Sequence, residues 1–191
     1  MRKLKLQMQI SIDGFVAGHN GELDWMTWEW DDELTKYVGD LTNSFDTILL
    51  GRKMTDGFIS HWTNIVKNHP DSPEYASAKI FVDTPKIVFT KTLNESAWAN
   101  TTLAKADIVE EVNKIKNQNS EKDIIVYGGA GFVSSLIKNN LIDEYHLFVN
   151  PTAIGKGMEI FNDVEKFSLK LADSKKFDCG IVVLTYVKKP D

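Results

Sequence analysis

Short apolar segments alternate along the chain with longer segments in which apolar residues recur every three or four positions. The apolar segments, which we predict as strands, lie at residues 46–50, 86–90, 123–127 and 144–149, and residues 4–12, in which apolar and polar residues alternate, are also predicted as a strand. The periodic segments, which we predict as helices, lie at residues 31–44, 75–82, 106–117 and 132–139. Apolar strands that alternate with helices predict a mostly parallel sheet covered on both faces, because parallel strands are usually joined by helical crossovers.

The C-terminal part of the chain follows a different pattern, in which apolar and polar residues alternate. Residues 168–172 and 180–187 alternate in this way on either side of Lys175-Lys176-Phe177-Asp178. The pattern is typical of a hairpin and predicts an antiparallel C-terminal edge of the sheet. Because the chain has no internal repeat and no linker-like segment, we predict one α/β domain over residues 1–191.

The composition is that of a globular protein and excludes several kinds of partner. Hydrophobic residues make up 42% and charged residues 26% of the 191 residues, and the net charge is -5. A mildly acidic chain lacks the positive field that attracts nucleic acid or an anionic membrane, so we expect neither partner. No apolar run is long enough for a membrane span or a signal peptide, and we expect a cytoplasmic protein. The single cysteine, Cys179, is expected to fill a position in a strand.

A cluster of glycines follows the predicted strand 123–127 and precedes a predicted helix. Gly128-Gly129-Ala130-Gly131 lets the backbone approach a ligand, and the N-terminus of the following helix presents free N–H groups. This arrangement suits a pyrophosphate, although a tight turn without a ligand explains it equally well. The cluster is not a P-loop, because no Gly-Lys-Ser/Thr follows, and its late position does not match the Rossmann fingerprint.

A second glycine turn, Gly51-Arg52-Lys53-Met54-Thr55, follows the predicted strand 46–50. An arginine guanidinium next to a hydroxyl group suits a phosphate monoester, and the 2′-phosphate of NADPH is such a group. The alternative is that Arg52 and Lys53 are simply solvated. Both glycine turns are predicted at the carboxyl ends of strands, where ligands bind in open α/β sheets.

Several further residues have both a structural and a functional interpretation. Asp13 stands at a predicted strand end, where it forms either an ordinary Asp-Gly turn or a hydrogen bond to a substrate. Four tryptophans could stack on a flat heterocycle, or they could pack in the core or at a dimer surface: Trp25, Trp28, Trp30 and Trp62. His61 and His69 are predicted in a loop, and their spacing does not favour a metal site.

Five segments together, in this order, resemble a known family over nearly the whole chain. They are Ser-Ile-Asp-Gly at 11–14, Leu-Gly-Arg-Lys-Met-Thr at 50–55, Tyr-Gly-Gly-Ala-Gly at 127–131, Leu-Ile-Asp-Glu-Tyr-His-Leu at 141–147 and Pro-Thr-Ala-Ile-Gly-Lys-Gly at 151–157. The chain resembles the dihydrofolate-reductase-like superfamily, in the branch that includes the C-terminal reductase domain of the bifunctional riboflavin-biosynthesis enzyme. The resemblance implies a three-layer α/β/α sandwich that binds NADPH across the strand ends.

The resemblance also implies roles for individual residues. The cofactor-binding residues would be Gly51, Arg52, Lys53 and Thr55 on the adenosine phosphate side, and Tyr127, Gly128, Gly129, Ala130, Gly131 and Phe132 at the pyrophosphate and nicotinamide. Relatives join the paired glycines through a cis peptide bond, which implies one between Gly128 and Gly129. The substrate side would include Asp13, Trp25 and Asp32. Either Asp13 or water would deliver the proton.

These observations favour an NADPH-dependent reductase of a small heterocyclic molecule, without a metal. The resemblance implies an activity like that of 5-amino-6-(5-phosphoribosylamino)uracil reductase in riboflavin biosynthesis. Two alternatives remain open, namely dihydrofolate reduction and a non-catalytic, nucleotide-binding dimeric module. A homodimer is expected from the resemblance and from the tryptophan content.

Overall fold

The computed structural model describes residues 1–189, and the last two residues of the predicted domain, 190 and 191, lie outside this range. The strands are β1 (Leu4–Ser11), β2 (Phe45–Gly51), β3 (Lys86–Phe89), β4 (Thr101–Ala104), β5 (Asp123–Val126), β6 (Glu144–Asn150), β7 (Leu169–Lys176) and β8 (Val182–Lys188). The helices are α1 (Asp32–Asn43), α2 (Arg52–Asn68), α3 (Tyr75–Asp83), α4 (Ile108–Lys116) and α5 (Ala130–Lys138).

All of these strands belong to one sheet, in the order β4-β3-β2-β5-β1-β6-β8-β7. The first six strands in this order are parallel, whereas β8 is antiparallel to β6 and β7 is antiparallel to β8. The predicted parallel sheet with an antiparallel C-terminal edge is therefore confirmed. Because β2 and β5 are neighbours, the two glycine turns follow adjacent strands.

Helices cover both faces of the sheet, which confirms the predicted three layers. Alternate residues of β5 enter opposite cores: Ile124 and Val126 pack with α4 and α5, whereas Ile125 packs on the side of α1, α2 and α3. The period of two along a strand and the burial of both faces explain why β2 and β5 each contain a continuous apolar run. Helix α1 begins as predicted, since the Asp31 carboxylate accepts a hydrogen bond from the backbone N–H of Leu34 at 2.8 Å.

The structure corrects three details of the predicted elements. His61 and Trp62 lie within α2 and not in a loop, because the ring of Trp62 packs against Phe81 of α3, with ring centroids 4.6 Å apart. Strand β4 was not predicted, since it is short and pairs with β3 alone. Cys179 lies in the turn between β7 and β8, where it packs at the margin of a core cluster, so its predicted place in a strand was wrong.

Candidate functional site

The two glycine turns touch each other at the carboxyl edge of the sheet. A methyl group on Gly129 would lie 3.6 Å from the Cα of Gly51, and a methyl group on Gly51 would lie 2.8 Å from the Cβ of Phe132. The second distance is shorter than an ordinary carbon–carbon contact, so only glycine fits at residue 51 without displacement of α5. The sequence pattern predicted each turn separately, and the adjacency of β2 and β5 brings them together.

The second turn depends on a backbone conformation that glycine adopts readily. Gly128 has a φ of 148° and Gly129 a φ of 85°, both outside the range favoured by other residues. The peptide bond between them is trans, since residues 1–189 contain no cis peptide bond, and the implied cis bond was therefore wrong. Gly129 is the N-cap of α5 and offers no side chain to the helix terminus. The amides at the start of α5 therefore remain free to bind a ligand.

A second uncapped helix terminus stands beside the first. Helix α2 begins after Gly51, again without a side-chain cap, and has no acidic residue in its first turn. Arg52 and Lys53 occupy that turn, and their side chains are exposed. Neither side chain has a hydrogen-bond or ion-pair partner among residues 1–189. Two helix N-termini and two unpaired cations at one edge form a site suited to anions.

Two of the predicted cofactor residues direct their side chains away from this edge. Thr55 is 0% exposed, and its hydroxyl donates to the carbonyl oxygen of Gly51 at 3.1 Å. The ring of Tyr127 packs in the core against Phe81, with centroids 5.2 Å apart, and burial raises the pKa of the Tyr127 phenol. In the structure, therefore, Thr55 and Tyr127 have only their backbone atoms to offer a ligand at this edge.

The remaining residues of the second turn form its open side. Gly131 is exposed, and no atom lies within 4 Å of the place where its Cβ would be. The ring of Phe132 is half-buried and packs on Phe89, with centroids 4.8 Å apart. Ala130 is the first residue of α5 and is partly buried. Aromatic packing between Phe132 and Phe89 thus holds the start of α5 against β3, and the backbone at Gly131 is exposed to solvent.

Asp13 connects the end of β1 to the loop after β6. Its carboxylate accepts hydrogen bonds from the Ser11 hydroxyl at 2.6 Å and from the backbone N–H groups of Gly155 at 2.7 Å and Ile154 at 3.1 Å. The Ser11 hydrogen bond contributes most to lowering the pKa of Asp13. An ionised carboxylate accepts hydrogen bonds but has no proton to give at neutral pH. Asp13 would thus have to take up a proton before it could deliver one, and both this role and its contact with a substrate stay predictions.

The loop between β1 and α1 holds the other predicted substrate residues. Trp25 is buried, and its indole N–H donates to the carbonyl oxygen of Glu22 at 3.2 Å. Trp28 is 58% exposed, whereas the indole N–H of Trp30 donates to the carbonyl oxygen of Thr27 at 2.8 Å. Asp32 is the exposed first residue of α1. Trp25 and Trp30 thus contribute to packing, and stacking of Trp25 on a substrate stays a prediction.

The sequence analysis missed a buried polar group at the end of β6. Asn150 is 0% exposed, and its amide joins the backbone of Thr27 to the side chain of Gln9. The available signal was the pair of glutamines, Gln7 and Gln9, in a strand that is otherwise largely apolar. Within residues 1–189, no three His, Cys, Asp or Glu side chains are grouped so that they could hold a metal ion. None of the helices in this range is both long and apolar enough to cross a membrane.

Comparison with known proteins gives the family. The sequence profile of the RibD C-terminal domain matches residues 2–183. The chain belongs to the RibD C-terminal domain family. Two proteins of Bacillus subtilis (strain 168) are similar to it: YyaP, 36% identical over 186 residues (97% of this chain and 94% of YyaP), and YwjB, 27% identical over 195 residues (98% of both chains).

Solved structures of this family share the fold. A structure from Shewanella sp. PV-4, named for riboflavin biosynthesis, matches with a TM-score of 0.73 and 22% identity over 100% of both chains. The diaminohydroxyphosphoribosylaminopyrimidine deaminase/5-amino-6-(5-phosphoribosylamino)uracil reductase of Thermotoga maritima matches with a TM-score of 0.69 and 19% identity, over 98% of this chain and 57% of that protein. Acinetobacter baumannii RibD gives a TM-score of 0.70 and 19% identity, over 100% of this chain and 59% of that protein.

Proposed function

We propose that this protein is an NADPH-dependent reductase of a small heterocyclic molecule. The observation that carries the proposal is the pair of uncapped helix N-termini at the carboxyl edge of the sheet, with Arg52 and Lys53 unpaired beside them. Membership of the RibD C-terminal domain family supports it, and so does the reductase named for the Thermotoga maritima relative.

The residues of the second glycine turn fit a pyrophosphate. Backbone N–H groups at the start of α5 have no partner within the helix, and the helix dipole favours a negative charge there. The positive φ values of Gly128 and Gly129 turn the chain between β5 and α5 without a side chain in the way. The exposed position of Gly131 leaves room for phosphate oxygens beside these amides.

Arg52 and Lys53 would select NADPH over NADH. The guanidinium of Arg52 can bind two oxygens of the 2′-phosphate, and the ammonium of Lys53 adds a second positive charge. Because both side chains are unpaired within residues 1–189, no ion pair has to break before they bind the phosphate. The bound cofactor would supply the hydride, and the chain would supply its binding and orientation. We assign proton delivery to water, because the Asp13 carboxylate already accepts hydrogen bonds from Ser11, Ile154 and Gly155.

Titration of the protein with NADPH and with NADH, monitored through the fluorescence of the nicotinamide, tests the proposal. Arg52→Ala removes the bidentate phosphate contact, so NADPH affinity should fall by about tenfold or more, whereas NADH affinity should change little. Lys67→Ala is the matched control, because Lys67 is an exposed cation in the last turn of the same helix. Equal losses for the two cofactors, or no binding of NADPH by the unmodified protein, would contradict the proposal.

A further inference from the structure

A chain of hydrogen bonds joins the tryptophan-containing loop to the central strand β1. The backbone N–H of Thr27 donates to Asn150 Oδ1 at 2.9 Å. Asn150 Nδ2 donates to Gln9 Oε1 at 2.7 Å and to the carbonyl oxygen of Phe148 at 3.1 Å. Because the Asn150 side chain is fully buried and both ends of its amide are partnered, it has one favourable orientation.

Two backbone groups, the N–H of Thr27 and the carbonyl of Phe148, determine which atom donates in each of these hydrogen bonds. The N–H of Thr27 can only donate, and the carbonyl of Phe148 can only accept, so the Asn150 amide cannot be flipped without loss of both bonds. The Gln9 atom that faces Asn150 Nδ2 must therefore be the acceptor, Oε1. The amide nitrogen of Gln9 is left with two N–H donors and has no acceptor among residues 1–189.

The side chain of Gln9 lies on the α1 side of β1. Gln9 pairs in register with Phe148, which packs against Leu34 of α1 in one core cluster. Gln9 is only partly buried at this edge of the sheet. Strand β1 pairs in parallel with β5, with Leu6 beside Val126, so the backbone of Gln9 stands level with the glycines that follow β5. Gln9 thus borders the edge at which the cofactor is proposed to bind.

A second unpartnered amide lies on the same face of β1. Gln7 is 8% exposed, and its Oε1 is buried without a hydrogen-bond partner among residues 1–189. Residues two apart on a strand point to the same side, so Gln7 and Gln9 are neighbours on the α1 face. An unpartnered buried oxygen costs free energy and is uncommon in folded proteins, so this face of β1 carries polar groups that the fold itself leaves unsatisfied.

We propose that Gln9 determines substrate specificity, by donating a hydrogen bond from Nε2 to an acceptor on the heterocycle. The acceptor is a carbonyl oxygen or an unprotonated ring nitrogen, and an exocyclic amino group at the same place is disfavoured. Asn150 is a positioning residue, because it holds Oε1 of Gln9 away from the ligand. This assignment rests on the proposed function, and it adds that the heterocycle binds on the α1 side of β1, beside the glycine turns.

The test compares two flat probes, pteridine-2,4-dione and 2,4-diaminopteridine, which present carbonyl oxygens and amino groups at the same positions. The unmodified protein should bind the dione more tightly. Gln9→Glu keeps the shape of the side chain but replaces the donor with an acceptor, so the ratio of the two dissociation constants should reverse. Gln9→Met removes both groups and should weaken binding of the dione by about tenfold, with little effect on the diamine. Asn150→Ala removes the group that fixes the Gln9 amide, so the preference for the dione should shrink without reversing.

NADPH titration of each variant separates this inference from the proposed function. NADPH affinity should stay within about twofold in both Gln9 variants, since the cofactor contacts lie on β2, β5 and their helices. A reversed probe ratio supports the role of Gln9, whether or not NADPH binds. An unchanged ratio in Gln9→Glu overturns that role, as does failure of both probes to bind the unmodified protein. If the unmodified protein does not bind NADPH, this result counts against the proposed function and not against the role of Gln9.

Discussion

Substitution of Gly51 by alanine tests whether contact between the two glycine turns builds the site. The backbone at Gly51 has a φ of -75°, which alanine adopts without strain, so the expected effect is purely steric. The new methyl group would lie 2.8 Å from Phe132 Cβ and 3.3 Å from Phe132 Cγ. Carbon atoms in contact are normally about 3.5–4.0 Å apart, so the overlap is roughly 0.7 Å or more.

Rotation of the Phe132 ring cannot relieve this overlap, because the closest atom is the Cβ next to the backbone. The N-terminus of α5 must move away from β2, against the packing of Phe132 on Phe89. Overpacking of this kind typically costs about 1–3 kcal/mol. For a chain of this length, that lowers the melting temperature by roughly 2–12 °C. NADPH affinity should fall as well, because the displaced helix start carries the amides proposed to bind the pyrophosphate.

Gly57→Ala is the matched control for this substitution. Gly57 lies on the exposed side of α2, and no atom stands within 4 Å of the place of its Cβ. Alanine in a helix interior is more stable than glycine by roughly 0.5–1 kcal/mol, so this variant should melt at the same or a higher temperature. Thermal unfolding and NADPH titration of both variants provide the measurements. If Gly51→Ala unfolds and binds NADPH like the unmodified protein, the turns are not in the close contact described here.

Three further predictions concern other parts of the molecule. A hydrogen bond with His146 is the largest cause that lowers the pKa of Glu144 to about 2, so the ionised carboxylate stabilises the fold above pH 4.5 and this contribution is lost as the pH falls toward 2. In Glu144→Gln, the free energy of unfolding should depend less on pH between 4.5 and 2, and an unaltered acid transition would contradict the assignment. The Asp107 carboxylate caps α4 by accepting a hydrogen bond from the backbone N–H of Val109 at 2.8 Å, so Asp107→Ala should lower the free energy of unfolding by about 1 kcal/mol. An unchanged midpoint of urea unfolding would show that the cap is dispensable. Methotrexate should not bind at micromolar concentration by calorimetry, since Asp32, the acidic residue predicted on the substrate side, is exposed at the start of α1; micromolar binding would favour the dihydrofolate alternative.

The three layers and the antiparallel C-terminal edge of the sheet were predictable, because they follow from the local periodicity of the sequence. Continuous apolar strands separated by helices require a sheet buried on both faces, and the alternating C-terminal segments require a hairpin. Elements held by tertiary contacts were harder to recognise. The C-terminal half of α2 is stabilised by the packing of Trp62 on Phe81, which lies in another helix. Strand β4 spans four residues at the sheet edge, too few to show a period of its own.

The two glycine turns were predictable as sequence segments, but the direction of their side chains was not. Thr55 stands four residues after Gly51, the distance at which a hydroxyl on a helix reaches the carbonyl of the preceding turn. The same residue type at the same spacing also suits a phosphate ligand, so only the fold decides between the two. Tyr127 follows the apolar period of β5, and its ring therefore enters the core next to Phe81.

Some of the hydrogen-bond partners of Asp13 and Gln9 are remote from them in sequence. Ser11, which lowers the pKa of Asp13 most, is two residues away, but Gly155 and Ile154 add their N–H groups from the loop after β6. The free donor of Gln9 depends in the same way on Asn150, at the end of β6. Both partners converge on β1 because β6 pairs with it in parallel register, Ser11 beside Asn150. The pairing of β1 with β6 thus brings hydrogen-bond partners of Asp13 and Gln9 to one edge of the sheet. If Gln9 selects the heterocycle as proposed, a change in β6 that leaves the ligand contacts intact should still alter which heterocycle binds.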